Sequence, residues 1–195
     1  MLFTLLACAT LSSPEEAVSA ASPPDPQTQA VDPSPPERRD PHFSPQEIRA
    51  GMPVGLTLVY RSTVAGSEPA AIQWEVRSAD DTQVQIAYTP VQEGGAALGP
   101  SEIKVHRWDE LAQHSAFVSA WTTVEDNVAV TTPAGDFVCT RYSVQDPSGE
   151  RAVYDFAPEQ PGPPVRVQIT AAGQDKMEML LLSRSLPRQT GPGAQ

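Results

Sequence analysis

Three histidines are the side chains of this 195-residue chain best suited to proton or metal chemistry near neutral pH. His106, Glu110 and His114 fall at i, i+4 and i+8, so on one continuous helix they would form a single polar stripe. Two imidazoles and a carboxylate on one face could bind zinc and leave one coordination position open. Against this, His106 sits where the strand pattern ends, which breaks the stripe. A polar stripe is also what the solvent face of an amphipathic helix looks like. A metal-dependent enzyme built on the His106–His114 segment is therefore the alternative reading. His42 lies at the edge of a Pro-rich stretch and carries no inference. The chain has no Gly-x-Ser-x-Gly elbow. Gly94-Gly95 lacks the strand–loop–helix setting and the lysine of a phosphate loop. The sequence places no two carboxylates in one cleft. No catalytic residue, metal ligand or cofactor is expected.

The elements that would position these residues are mostly strands. Ser44-Pro45-Gln46-Glu47 is a capping box with proline at the first helical position, and Pro53 forbids continuation. A short helix over 45–50 is expected, ended by Gly51. Beyond it the period becomes two. Val54, Leu56, Leu58 and Tyr60 alternate with Gly55, Thr57, Val59 and Arg61. Ala70, Ile72, Trp74 and Val76 alternate with Ala71, Gln73, Glu75 and Arg77. The same holds for Val84, Ile86 and Tyr88, and for Val165, Val167 and Ile169. This is the antiparallel pattern, with one face buried and one wet.

Thr132-Pro133-Ala134-Gly135 and Asp146-Pro147-Ser148-Gly149 read as β-turns. Strands are expected near 54–62, 70–78, 82–90, 101–106, 119–125, 127–132, 136–145, 150–157, 164–171 and 175–184. Sequential strands with short links form a meander, and a sheet this wide curls or closes. Trp108, Leu111, Ala112 and Ser115 share a helical spacing, so one or two turns should pack Trp108 and Leu111 on the sheet, with Phe117 and Trp121 continuing the contact. The fold class is mainly β: a curved, largely antiparallel meander sheet or half-open barrel with one or two short helices. Tyr60, Trp74, Tyr88, Met177 and Met179 are the residues that would line an apolar ligand site in its concavity. The competing reading is that they simply fill the core.

The N-terminus points to an address. Met1-Leu2-Phe3-Thr4-Leu5-Leu6-Ala7-Cys8 is an apolar run ending in a small residue and a cysteine. It resembles the lipobox of bacterial lipoproteins, read as Leu5-Leu6-Ala7 before Cys8. The resemblance implies that residues 1–7 are a signal remnant and that Cys8 is the lipid attachment site. By the sorting habits of that class, Ala9 after Cys8 implies the outer membrane, facing the periplasm or the cell surface. Residues 9–43 hold eight of the 21 prolines and few large apolar side chains, so residues 8–43 read as the anchor site and a disordered tether. Residues 44–185 form the β-rich domain, and 186–195 a flexible tail.

The net charge of −11 excludes a phosphate-binding surface, so nucleic acid is not a partner. No apolar run reaches the 18 or so residues of a spanning helix. With Cys8 acylated, Cys139 has no intrachain partner and is expected to be a small buried hydrophobe.

A second resemblance covers about 50 residues. Thr132-Pro133-Ala134-Gly135-Asp136-Phe137, Cys139 and Tyr142 lead to Tyr154-Asp155-Phe156-Ala157, then to Pro161-Gly162-Pro163-Pro164-Val165 and the strand Met177–Leu182. This is similar to β-rich envelope proteins of uncharacterised role. It implies a curved sheet like that of lipoprotein carriers or lipocalin-like barrels, which often hold an apolar ligand. The favoured reading is a non-enzymatic, membrane-anchored envelope lipoprotein that binds an apolar ligand or an envelope protein on its sheet. A purely structural scaffold and the metal-dependent enzyme stand as alternatives.

Overall fold

The structure, a computed structural model, describes residues 35–186. Cys8, the signal remnant, most of the tether and nearly all of the tail lie outside the described residues. The described chain runs α1 (Pro45–Gly51), β1 (Thr57–Val64), β2 (Ala70–Ala79), β3 (Gln83–Val91), β4 (Glu102–Arg107), α2 (Trp108–Gln113), a single 3₁₀ turn (Ser119–Trp121), β5 (Thr122–Thr132), β6 (Gly135–Gln145), β7 (Arg151–Phe156), β8 (Arg166–Ala171) and β9 (Gln174–Ser185).

The strands form one antiparallel sheet in the order β4-β3-β2-β1-β9-β8-β7-β6-β5. Two meanders, β1 to β4 and β5 to β9, meet where β1 pairs with β9, with Tyr60 opposite Leu181 and Val64 opposite Met177. The sheet does not close: β4 and β5 are its two edges. The segment from Trp108 to Trp121 therefore has to cross from one edge to the other. The expected strands 119–125 and 127–132 are one strand, interrupted by a bulge after Glu125 with Asn127 at φ 59°. Asn tolerates the left-handed region, so a bulge replaces the expected break.

Alternation sorts the two faces as expected. Leu58, Tyr60, Val76, Ile86, Tyr142, Phe156 and Leu181 join Ile48 and Met52 near α1 and Trp108 and Ala112 of α2 in one core. Val54 departs from the pattern: it precedes β1 and is half exposed. The capping box of α1 is formed. Glu47 N–H donates to Ser44 Oγ at 3.2 Å and Ser44 N–H donates to Glu47 Oε2 at 2.8 Å. Trp108 and Leu111 pack on the sheet face, and Trp108 Nε1–H donates to the Asp80 carbonyl at 3.0 Å. Phe117 packs there too, but Trp121 is exposed.

The opposite face holds a small cluster of Val59, Ala71 and Val91 with Leu182. It also holds a ladder in which the fully buried Asp155 accepts from Arg141 Nε at 2.7 Å and Arg166 Nε at 2.8 Å. Cys139 is a buried free thiol, pushed up to about 11 by burial and by Asp155, so it is inert at neutral pH.

Residues 35–43, expected as the end of the tether, are packed on the domain instead. Arg39 N–H donates to Phe117 C=O at 2.8 Å, Ser119 N–H to Glu37 C=O at 2.9 Å, and Arg38 pairs with Val118 as an isolated bridge. Phe43 is buried. Pairing with a segment about 78 residues away supplies partners that the local composition does not reveal.

Candidate functional site

The helix-covered face holds a cavity of about 330 Å³, open to solvent, between the sheet, the two helices and the turn at 162–164. Its position follows from register. Trp74 of β2 lies opposite Tyr88 of β3, with their rings 5.3 Å apart, and Ile86 continues that wall. On the far side Val167 and Ile169 of β8 stand opposite Met179 and Met177 of β9. Phe43, Ile48, Met52 and Leu111 close it from the helix side, and Tyr154 and Phe156 of β7 complete the aromatic flank. The wall is almost wholly apolar, so the hydrophobic effect favours an apolar occupant over water.

Four of the five residues expected to line a ligand site are therefore brought together: Trp74, Tyr88, Met177 and Met179. Tyr60 is not among them. It is 1% exposed, its hydroxyl donates to the Pro164 carbonyl at 3.2 Å, and burial holds its phenol far above its ordinary range. It belongs to the filled core beside the cavity.

Polar groups appear at one end. His106 Nε2 lies 2.9 Å from Tyr88 Oη. Burial pushes the Tyr88 phenol up to about 12 and lowers the His106 pKa, with His114 and Lys104 adding to the latter. Both shifts favour a protonated phenol donating to a neutral imidazole. Lys104 Nζ stands 5.6 Å from the centroid of the Tyr88 ring, and His114 reaches the same cavity from the end of α2.

The zinc arrangement is not formed. His106 is the penultimate residue of β4, and the helix starts only at Trp108. Glu110 turns back to accept from Arg107 N–H at 3.3 Å, as a residue in the first turn of a helix readily does. Among the described residues no three His, Cys, Asp or Glu side chains converge on a metal position. The histidines contribute to the cavity wall in place of a metal centre.

His42 was missed by sequence reasoning. Its backbone N–H donates to Ser115 Oγ at 2.9 Å and its Nδ1 lies 3.0 Å from Tyr142 Oη. The ring packs on Phe43 and Phe156, at 4.2 and 5.1 Å between centroids. Its Nε2 is buried without a partner, and burial lowers its pKa against the pull of Asp126 and Glu47. A signal for the neighbouring Phe43 did exist. It sits just before the cap Ser44, and Ile48 is four residues into the helix, the spacing of a hydrophobic staple; both are in the core.

No family model matches this chain, and no curated protein does. Solved structures share its fold. The complex structure of Pseudomonas aeruginosa MucA/MucB superposes with a TM-score of 0.51 at 11% identity, covering 74% of this chain and 57% of that one. MucB in complex with MucA(peri) gives 0.50 at 12% identity, covering 74% and 56%. The crystal structure of MucB gives 0.51 at 11% identity, covering 77% and 60%. This chain thus spans less than two thirds of the MucB-type chains it matches, and at this identity the likeness establishes a shared fold.

Proposed function

We propose that this protein is a non-enzymatic, membrane-anchored envelope lipoprotein that holds an apolar ligand on the helix-covered face of its sheet. The observation that carries the binding role is the apolar cavity of about 330 Å³, walled by Trp74, Tyr88, Met177 and Met179. A core packed for stability alone leaves few voids larger than a water. The anchoring role is supported by the resemblance of Leu5-Leu6-Ala7-Cys8 to a lipobox. Acyl chains on Cys8 would each add about 0.8 kcal/mol per buried CH₂, which makes a multiply acylated protein stay on its membrane. Ala9 supports the outer membrane as its address.

A protein partner is the second reading. It is favoured by the fold, since MucB of the same fold is solved in complex with MucA.

The test is the intact mass of protein extracted from native membranes, measured with the N-terminus mapped and under conditions that keep non-covalent ligands bound. The expected result is a chain beginning at acylated Cys8 and carrying an apolar adduct, with Cys8→Ser released as a soluble form and Met179→Trp free of adduct. An unmodified chain that keeps Met1 overturns the anchor. A cavity that carries no adduct and takes up no hydrophobic dye overturns the ligand reading.

A further inference from the structure

We propose that the cavity takes one single-chain amphiphile bearing a carboxylate, with its chain between β2–β3 and β8–β9 and its head at His106 and His114. This rests on the ligand reading above and names the class of ligand.

Three observations carry it. The first is volume. About 330 Å³ is at the bottom of the ~300–1,000 Å³ range of small-ligand pockets, enough for one chain and too little for a lipid with two or three. The second is the distribution of polarity. Ile86, Val167, Ile169, Met177 and Met179 offer a head group no partner, and a buried charge without one is strongly disfavoured, so the head must lie where the wall is polar. The third is the chemistry of that end. His106 is half-buried and His114 exposed, and both reach the cavity from consecutive elements, β4 and α2.

The acids of the same segment are engaged elsewhere. Glu110 accepts from Arg107 N–H, and Glu102 pairs with Lys104 at 3.4 Å. With Tyr88 donating to His106 Nε2, the other ring nitrogen carries the hydrogen and is free to donate. Imidazole N–H groups facing a carboxylate make charge-assisted hydrogen bonds that an alcohol of the same chain length does not match. The polar stripe of the sequence thus acquires a role that needs neither a continuous helix nor a metal.

The experiment is calorimetric titration of the full chain carrying Cys8→Ser, at pH 7 and fixed salt, with dodecanoate, dodecanol and didodecanoylphosphatidylglycerol, whose two chains double the hydrocarbon volume. Dodecanoate should bind at one site at least tenfold more tightly than dodecanol, and the two-chain lipid should not bind over the same range. His114→Ala, at an exposed position, should remove most of the preference for the acid. The double variant His106→Phe, His114→Ala, which leaves no N–H at either position, should equalise the two chains. Equal binding of acid and alcohol by the unsubstituted cavity overturns the head-group assignment and leaves the ligand reading standing. Equal binding of the two-chain lipid overturns the single-chain assignment. Binding of none of the three overturns this proposal and the ligand reading together.

Discussion

One face of one sheet behaves as core at one end and as cavity at the other. At the filled end, Leu58, Tyr60 and Leu181 lie beneath Pro161, Pro163 and Val165, and the void left between them is about 10 Å³, room for a single water at most. At the open end, Trp74, Tyr88, Met177 and Met179 come from β2, β3 and β9 with the same alternation, yet leave about 330 Å³. The strands do not differ in kind; what covers them does. The Pro-rich turn lies directly on β1 and β9, with the Pro164 carbonyl accepting from Tyr60 and the Pro161 carbonyl so close to Gly51 that any Cβ there would overlap it. Over β2 and β3 the cover is looser: the six-residue α2 inserts Ala112 and the partly buried Leu111, with Ile48 and Met52 reaching in from the α1 side. Alternation chooses the face, and the covering loop decides whether that face becomes core or cavity.

The largest effect separating the two ends should come from side-chain deletion. Tyr60→Ala removes a fully buried aromatic and orphans the Pro164 carbonyl, at a cost of about 3–5 kcal/mol. Met179→Ala trims a side chain that already faces empty space and should cost under about 1.5 kcal/mol. Urea midpoints at constant m-value measure both. Equal losses would mean that the open end is packed as tightly as the filled one, and the contrast would fail.

The next effect concerns the cover. Gly51→Ala must move the turn at Pro161 away from α1, because the obstacle is backbone and cannot rotate aside. A loss of about 1–3 kcal/mol is expected, as for other overpacked sites. If Gly51→Ala were neutral in the same urea series, the Pro-rich turn would not be a fixed lid on the filled end.

Much of this architecture was legible because side-chain period is a local property. The alternation in 70–76 and 84–88 placed Trp74 and Tyr88 on one face, and their register across β2 and β3 brings them together. The same logic misplaced Tyr60. Period two says which face a residue joins and is silent about what lies over it, and the cover over Tyr60 comes from 104 residues away. The stripe His106–Glu110–His114 failed for a related reason. It assumed one continuous helix, whereas the strand-to-helix boundary at Arg107 falls inside it and turns Glu110 back to cap the helix start. Residues 35–43 read as tether in the sequence because proline-rich composition describes a chain's own preference, and their partners at Ala116, Phe117 and Val118 are supplied by the crossing segment.

The smallest effect should be the one that ties this arm to the cavity. Phe43 lines the cavity wall, and its neighbour His42 is held neutral because burial outweighs the attraction of Asp126 and Glu47. The folded pKa of His42 thus lies below its ordinary 6.5. As pH falls, the unfolded chain takes up that proton first, so stability rises with pH wherever the unfolded state binds more protons. The contribution is fully present above about 6.5 and is lost as pH falls from there through the folded pKa. His106, lowered in the same direction, adds to the same window, whereas the depressed carboxyls of Asp80 and Asp146 act in the acid range well below it.

Urea midpoints between pH 8 and 5.5 should therefore fall on acidification. His42→Phe, which keeps an aromatic ring against Phe43 and Phe156 but cannot be protonated, should flatten the fall without abolishing it. A slope unchanged by His42→Phe would assign the whole effect to His106, at the polar end of the cavity. The arm would then be held by its backbone pairing to Phe117 and by the burial of Phe43 alone, with no dependence on pH.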